Sequence, residues 1–210
     1  DEEASPTSVA GVVGHWEAKA LLKTRGRDEA IQQGSVDLGM TRTTIFVMED
    51  GVGLCRTGDA PELLVRWTEL EDIVQKAKKG QYGCWELLWG YKPRKIASLS
   101  PTTNRPAMLC APIQKQGPPT MVLGGFTMHR VVGDSQKPGK AMDPGLDTAA
   151  KVAASGARRA NGAILDTCTG LGYTAIAAAA CPGVTRVVTV ELDEVSLEMC
   201  RRNPWSAALF

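Results

Sequence analysis

The most constraining stretch of the chain is Ile164-Leu165-Asp166-Thr167-Cys168-Thr169-Gly170-Leu171-Gly172-Tyr173-Thr174. An apolar run ends in a carboxylate, a loop of small residues follows, and a helical pattern opens at Gly172. Glycines there let the backbone approach a ligand closely, and a helix amino end offers it unpaired N–H groups. The pattern around this stretch alternates. Helix is expected over 147–157, strand over 163–166, helix over 172–180, strand over 186–191 and helix over 194–202. Such alternation predicts a parallel α/β sheet.

Gly170-Leu171-Gly172-Tyr173-Thr174-Ala175 fits the GxGxx(G/A) spacing of dinucleotide sites, which by itself is a weak signal. Asp166, four residues ahead of Gly170, tilts the reading. A pyrophosphate disfavours an anion at that strand end, whereas the ammonium and sulfonium of S-adenosylmethionine favour one. Glu191 ends the next strand, 19 residues after Gly172, where an acid can accept hydrogen bonds from ribose hydroxyls. NAD sites use the same device, so Glu191 alone does not discriminate.

Asp-x-x-x-Gly-x-Gly after an apolar strand, with an acid ending the next strand, resembles motifs I and II of class I S-adenosylmethionine-dependent methyltransferases. Residues 165–176, together with Asn203-Pro204-Trp205-Ser206 and Met128-His129-Arg130, are similar to an uncharacterised, archaeal-type family of predicted methyltransferases. The likeness runs over roughly residues 35–210 and is dense over 126–210. It implies a Rossmann-like parallel sheet, of which the first two core strands are present, preceded by a small β-rich α+β domain. It also implies S-adenosyl-L-methionine as cofactor. Asp166, Gly170 and Gly172 would form the cofactor loop, with Thr167 and Cys168 on it, and Glu191 would hold the ribose beside Leu192. Cys168 stands where many class I members have a glycine. No catalytic residue is assigned, and the methyl acceptor (small molecule, protein or RNA) is left open. Only about 47 residues follow from the first core strand, so the chain reads as a fragment of a longer enzyme, inactive alone, with a degenerate copy as the other option. Rival readings are an aminopropyltransferase on a related fold, an NAD-dependent enzyme, which Asp166 disfavours, and a non-catalytic binding module with a relic Rossmann half.

Three segments are expected: a polar lead-in with a possible short helix over 1–34, a β-rich domain over 35–134, and the partial Rossmann domain over 135–210. The lead-in proper is read as ending near Gly14. Thr43 to Val47, then Asp50-Gly51, then Val52 and Leu54 predict a hairpin. Thr68 with Glu71 has the spacing of a capping box, and Leu70, Ile73, Val74 and Ala77 continue at helical spacing to Gly80. Strand-like runs follow over 82–89, 95–99, 108–113 and 121–128.

Other residues carry paired readings. His129 and Arg130 suit either hydrogen bonding between domains or contact with the cofactor or acceptor. Asp147 and Lys151 fit an i,i+4 ion pair or a cofactor contact. Asn203-Pro204-Trp205 reads as a helix stop, with Trp205 a stacking partner for adenine as the other option. The run Trp85 to Trp89 fits a core strand or an aromatic platform for nucleic acid.

Twenty-four basic and 23 acidic side chains nearly cancel, which removes a whole-chain electrostatic case for nucleic acid or a membrane surface. No DNA-binding signature is present, and Lys76, Lys78, Lys79, Lys92, Arg94 and Lys95 read as a solvated helix end and loop. No apolar run approaches the roughly 18 residues of a membrane span. Six cysteines lack any CxxC or Cys/His ligand spacing, which argues against zinc and for reduced thiols in an intracellular, cytoplasmic setting. Because the chain starts at Asp1, organellar targeting stays open.

Overall fold

Short apolar runs separated by tight turns dominate the first half of the chain, and they fold as antiparallel ladders. The computed structural model describes residues 9–56, 60–131 and 143–210, which cluster into one unit ending at Ile96 and another from Ala97 to Phe210. The domain boundary expected near residue 135 lies outside the described residues.

In the first unit, β1 (Val9–Val13), α1 (His15–Leu22), β2 (Ile31–Gly34), β3 (Thr43–Val47), β4 (Gly51–Cys55), β5 (Pro61–Arg66), α2 (Trp67–Lys78), β6 (Trp85–Leu88) and β7 (Arg94–Lys95) follow in order. The strands form a four-stranded meander β2-β3-β4-β5 and a sheet β1-β6-β7. The hairpin expected at Asp50-Gly51 joins β3 to β4, closed by the Gly51 carbonyl accepting from the Met48 N–H. Val13, Leu21, Ile45, Val52, Leu70 and Leu87 lie in one core cluster. Two expectations need correction. Residues 9–13 belong to the core and not to a polar lead-in: β1 pairs with β6, and Val12 and Val13 are buried. Residues 1–8 lie outside the described residues. Helix α2 starts before Thr68, because Trp67 is tied down first. Its N–H donates to the Asp50 carbonyl and its indole N–H to the Glu49 carbonyl. The N-cap is therefore Arg66, whose N–H donates to Glu69, and Glu71 pairs with Arg25 instead.

The second unit begins with the antiparallel strands β8 (Ala97–Leu99), β9 (Pro106–Cys110), β10 (Thr120–Leu123) and β11 (Phe126–Thr127). Then come α3 (Pro144–Ser155), β12 (Gly162–Asp166), α4 (Tyr173–Ala179), β13 (Val184–Thr189) and α5 (Glu194–Arg201), with 3-10 turns at Ala157–Arg159 and Pro204–Leu209. Asp143 caps α3 by accepting from the Leu146 N–H. β12 and β13 pair in parallel, with Leu165 opposite Val188.

The continuous Rossmann-like parallel sheet is not what forms. Among the described residues, three of the four sheets are antiparallel; parallel strand pairing is confined to β12 and β13, apart from an isolated parallel bridge between Val12 and Asp37. The reason lies in the connections. Parallel neighbours need a crossover of a dozen or more residues, whereas tight turns join only antiparallel ones. Such a helical crossover links paired strands once, through α4; the other ladders are joined by turns or longer antiparallel returns.

The shifted start of α2 is directly testable. Glu69→Ala should lower stability by about 0.5–2 kcal/mol through loss of the cap contact, whereas Glu71→Ala, in an exposed pair, should cost less than about 1 kcal/mol. Chemical denaturation of the two variants distinguishes the observed start from one at Thr68.

Candidate functional site

The carboxyl ends of β12 and β13 bring Asp166, Gly170, Gly172 and Glu191 together, as the sequence leads one to expect, but each carboxylate is turned into the chain itself. Glu191 Oε2 accepts from the Gly170 N–H at 2.8 Å, and Oε1 accepts from the N–H groups of Leu192 at 2.9 Å and Asp193 at 3.1 Å. Asp166 Oδ2 accepts from the hydroxyls of Thr174 and Thr189, each at 3.2 Å. Thr169, buried between them, bonds the Thr189 hydroxyl at 2.7 Å and donates its N–H to the Val190 carbonyl. Gly170 and Gly172 have φ of 52° and 75°, which L side chains resist. At Gly172 a Cβ would also stand 2.8 Å from a Leu209 methyl carbon. Thr167, Cys168 and Leu192 are exposed.

A buried polar network supports this loop, and sequence spacing did not reveal it because its members are far apart in the chain. The Tyr173 hydroxyl donates to the Pro119 carbonyl and accepts from Asn203 Nδ2. Asn203 also donates to the Ser206 hydroxyl, which in turn donates to the Leu171 carbonyl. Asn203 thus anchors the turn after α5. His129 packs beside Tyr173, with ring centres 5.2 Å apart, and its Nδ1 meets the Thr120 hydroxyl at 3.1 Å. Burial, with nearby Lys151 adding to it and Asp147 opposing, lowers the His129 pKa from the ordinary 6.5 to about 4. Asp147 is buried between Lys151 at 2.7 Å and Arg130 at 3.2 Å. Burial alone would raise its pKa, but the two cations hold it below the usual carboxylate value. The expected Asp147–Lys151 pair is therefore present, and Arg130 joins it.

The other face of the parallel pair is bare. Helices α3 and α4 cover Ile164 and Val187 through Val152 and Ala178. On the opposite side Leu165 is 64% exposed, Val188 38% and Val190 48%, and Leu192 just beyond is 85% exposed. Beside β12 lies a hollow of about 210 Å³ lined by Lys151, Ser155, Leu165, Asp166 and Thr174. Typical pockets for small ligands and cofactors are larger, roughly 300–1,000 Å³. Among the described residues no group of His, Cys, Asp and Glu could hold a metal ion, and no helix is long and apolar enough to cross a membrane.

No family model matches the chain. Over 93 residues, 44% of its length, it is 38% identical to the uncharacterized protein MJ1233 of Methanocaldococcus jannaschii, and the match spans 28% of that protein. The relative brings no activity with it. These findings, with the mostly antiparallel topology, correct the resemblance to class I methyltransferases and to the archaeal-type family. The methyltransferase activity, the S-adenosyl-L-methionine cofactor and the methyl acceptor fall with it, as does the aminopropyltransferase alternative.

Two outcomes follow from the geometry. Glu191→Ala strips acceptors from three N–H groups and should cost about 1–3 kcal/mol in unfolding free energy, measured by urea titration. His129 is neutral in the folded state well below the pH at which the unfolded chain takes up a proton. Its contribution is therefore complete above pH 6.5, is lost as pH falls from 6.5 toward about 4, and changes no further below that. His129→Gln should flatten the stability profile of this unit in that window. His15, also lowered to about 4 by burial and Lys19, should do the same for the first unit.

Proposed function

We propose that the second unit is an assembly module, in which two copies of the chain join through the bare face and outer edge of the β12–β13 pair. One observation carries this reading: a parallel two-stranded sheet that is apolar on an uncovered face, with Leu165, Val188 and Val190 exposed. Parallel sheets are ordinarily covered on both faces. The outer edge of β13 has no ladder partner among the described residues, which leaves a row of backbone donors and acceptors for another strand.

A second copy suits the surface for two reasons. A two-fold axis near Val188 would run β13 antiparallel to its mate and stack Val188 on Val188. Arg186, exposed at one end of the strand, would then approach the acidic end of the mate, where Glu194 is exposed. The near balance of charge, 24 basic against 23 acidic residues, opposes no such pairing. The Asp166–Gly172 loop and Glu191 serve this role by fixing the strand ends. The six cysteines show no CxxC or Cys/His ligand spacing, which supports a reducing, cytoplasmic setting as part of the same reading.

Sedimentation velocity over a concentration series tests it. The chain should sediment as a concentration-dependent dimer, and Val188→Lys should shift it to monomer without loss of helical signal in circular dichroism. A monomer at every soluble concentration, or a dimer indifferent to Val188→Lys and Leu165→Lys alike, would overturn the proposal.

A further inference from the structure

A cleft of about 410 Å³ opens in the first unit at the amino end of α2, between that helix and the β6–β7 turn. Its charged groups are Arg66, Glu69, Asp72, Lys76 and Lys92. Two of them cancel: Asp72 pairs with Lys76 at 2.6 Å. The Glu69 carboxylate is engaged by the Arg66 N–H at 2.9 Å. No ion pair among the described residues takes up the side chains of Arg66 or Lys92.

Arg66 is also out of place by local rules. It is the N-cap of a 12-residue helix and supplies no side-chain cap. Ser, Thr, Asp and Asn are preferred there, and a cation adds to the positive end of the helix dipole. Cations and the helix amino end therefore converge on one cleft, with the Thr68 hydroxyl beside them.

An independent feature points the same way. Trp85 lines the cleft and is only 4% exposed, yet its indole N–H makes no hydrogen bond among the described residues. Buried indole N–H groups ordinarily find a partner. That nitrogen is nevertheless absent from the fully enclosed, unsatisfied side-chain atoms of the described residues, so it reaches open space. The cleft thus combines Arg66 and Lys92 outside any ion pair, the Glu69 carboxylate held on the Arg66 N–H, a helix amino end, a hydroxyl, a spare N–H donor and an aromatic wall, for a net charge of one positive unit once Asp72 and Lys76 cancel.

The geometry points to a binding site for a small organic phosphate, with the phosphate held by Arg66, Lys92 and the first turn of α2 and an apolar body resting on Trp85. A phosphate monoester suits this cleft better than a carboxylate, because its greater charge and three oxygens match two cations and several N–H and O–H donors. The cleft lies wholly in the first unit, so this inference stands apart from association through β13.

Titration of the whole 15N-labelled chain with phenyl phosphate tests it, followed by the indole N–H signal of Trp85, which is assigned by its loss in Trp85→Phe. A saturable shift of that signal is expected, reversed by competing inorganic phosphate. Arg66→Gln combined with Lys92→Gln should weaken binding at least about tenfold while leaving the melting temperature near that of the parent, since both side chains are exposed. A Trp85 signal that does not move, an affinity unchanged in the double variant, or benzoate binding as tightly as phenyl phosphate would overturn the assignment.

Discussion

Three backbone N–H groups converge on the Glu191 carboxylate, and the end of the parallel pair is organised around that contact. Gly170 comes from the loop after β12, while Leu192 and Asp193 come from the turn after β13, so one side chain ties two connections together. With the loop fixed, Asp193 is placed to cap α5 through the Val195 N–H and to accept from the Ser100 hydroxyl just past β8. The Tyr173–Asn203–Ser206 network then closes the other side of the loop. Each donor in this chain of contacts has one geometry that satisfies it, and a buried polar group left unsatisfied is costly. These contacts hold the loop in one arrangement at the end of the parallel pair.

The two units solve the burial of strands differently. In the first, antiparallel ladders and one face of α1 and α2 share a single apolar cluster. In the second, α3 and α4 shield one face of the parallel pair and leave the other open. Among the described residues a single crossover helix, α4, links the two parallel strands.

Much of the local structure was legible in advance. The Asp50-Gly51 hairpin, the i,i+4 pairing of Asp147 with Lys151 and the strand–helix alternation after residue 160 rest on contacts within a few residues, and those are written in local spacing. Distant contacts account for the departures from local spacing. The capping box at Thr68 and Glu71 had the right spacing, but distant contacts of Trp67 with Glu49 and Asp50 moved the helix start to Arg66 and handed the cap to Glu69. Val9 to Val13 looked peripheral because its partner, β6, lies more than 70 residues away.

At the candidate site, the sequence by itself determined which residues would meet: an acid at each of two strand ends and glycines in the positive-φ turn between them. Only the tertiary structure decided what those acids do. A carboxylate at a strand end can face a ligand or the chain's own N–H and hydroxyl groups with equal ease in a spacing argument. The choice depends on whether donors from elsewhere arrive first. Here Gly170, Leu192 and Asp193 reach Glu191, and Thr174 and Thr189 reach Asp166. The extent of parallel pairing was likewise settled by which strands found each other in space, because hydrogen-bond ladders form between chain segments whose separation in sequence carries no signal.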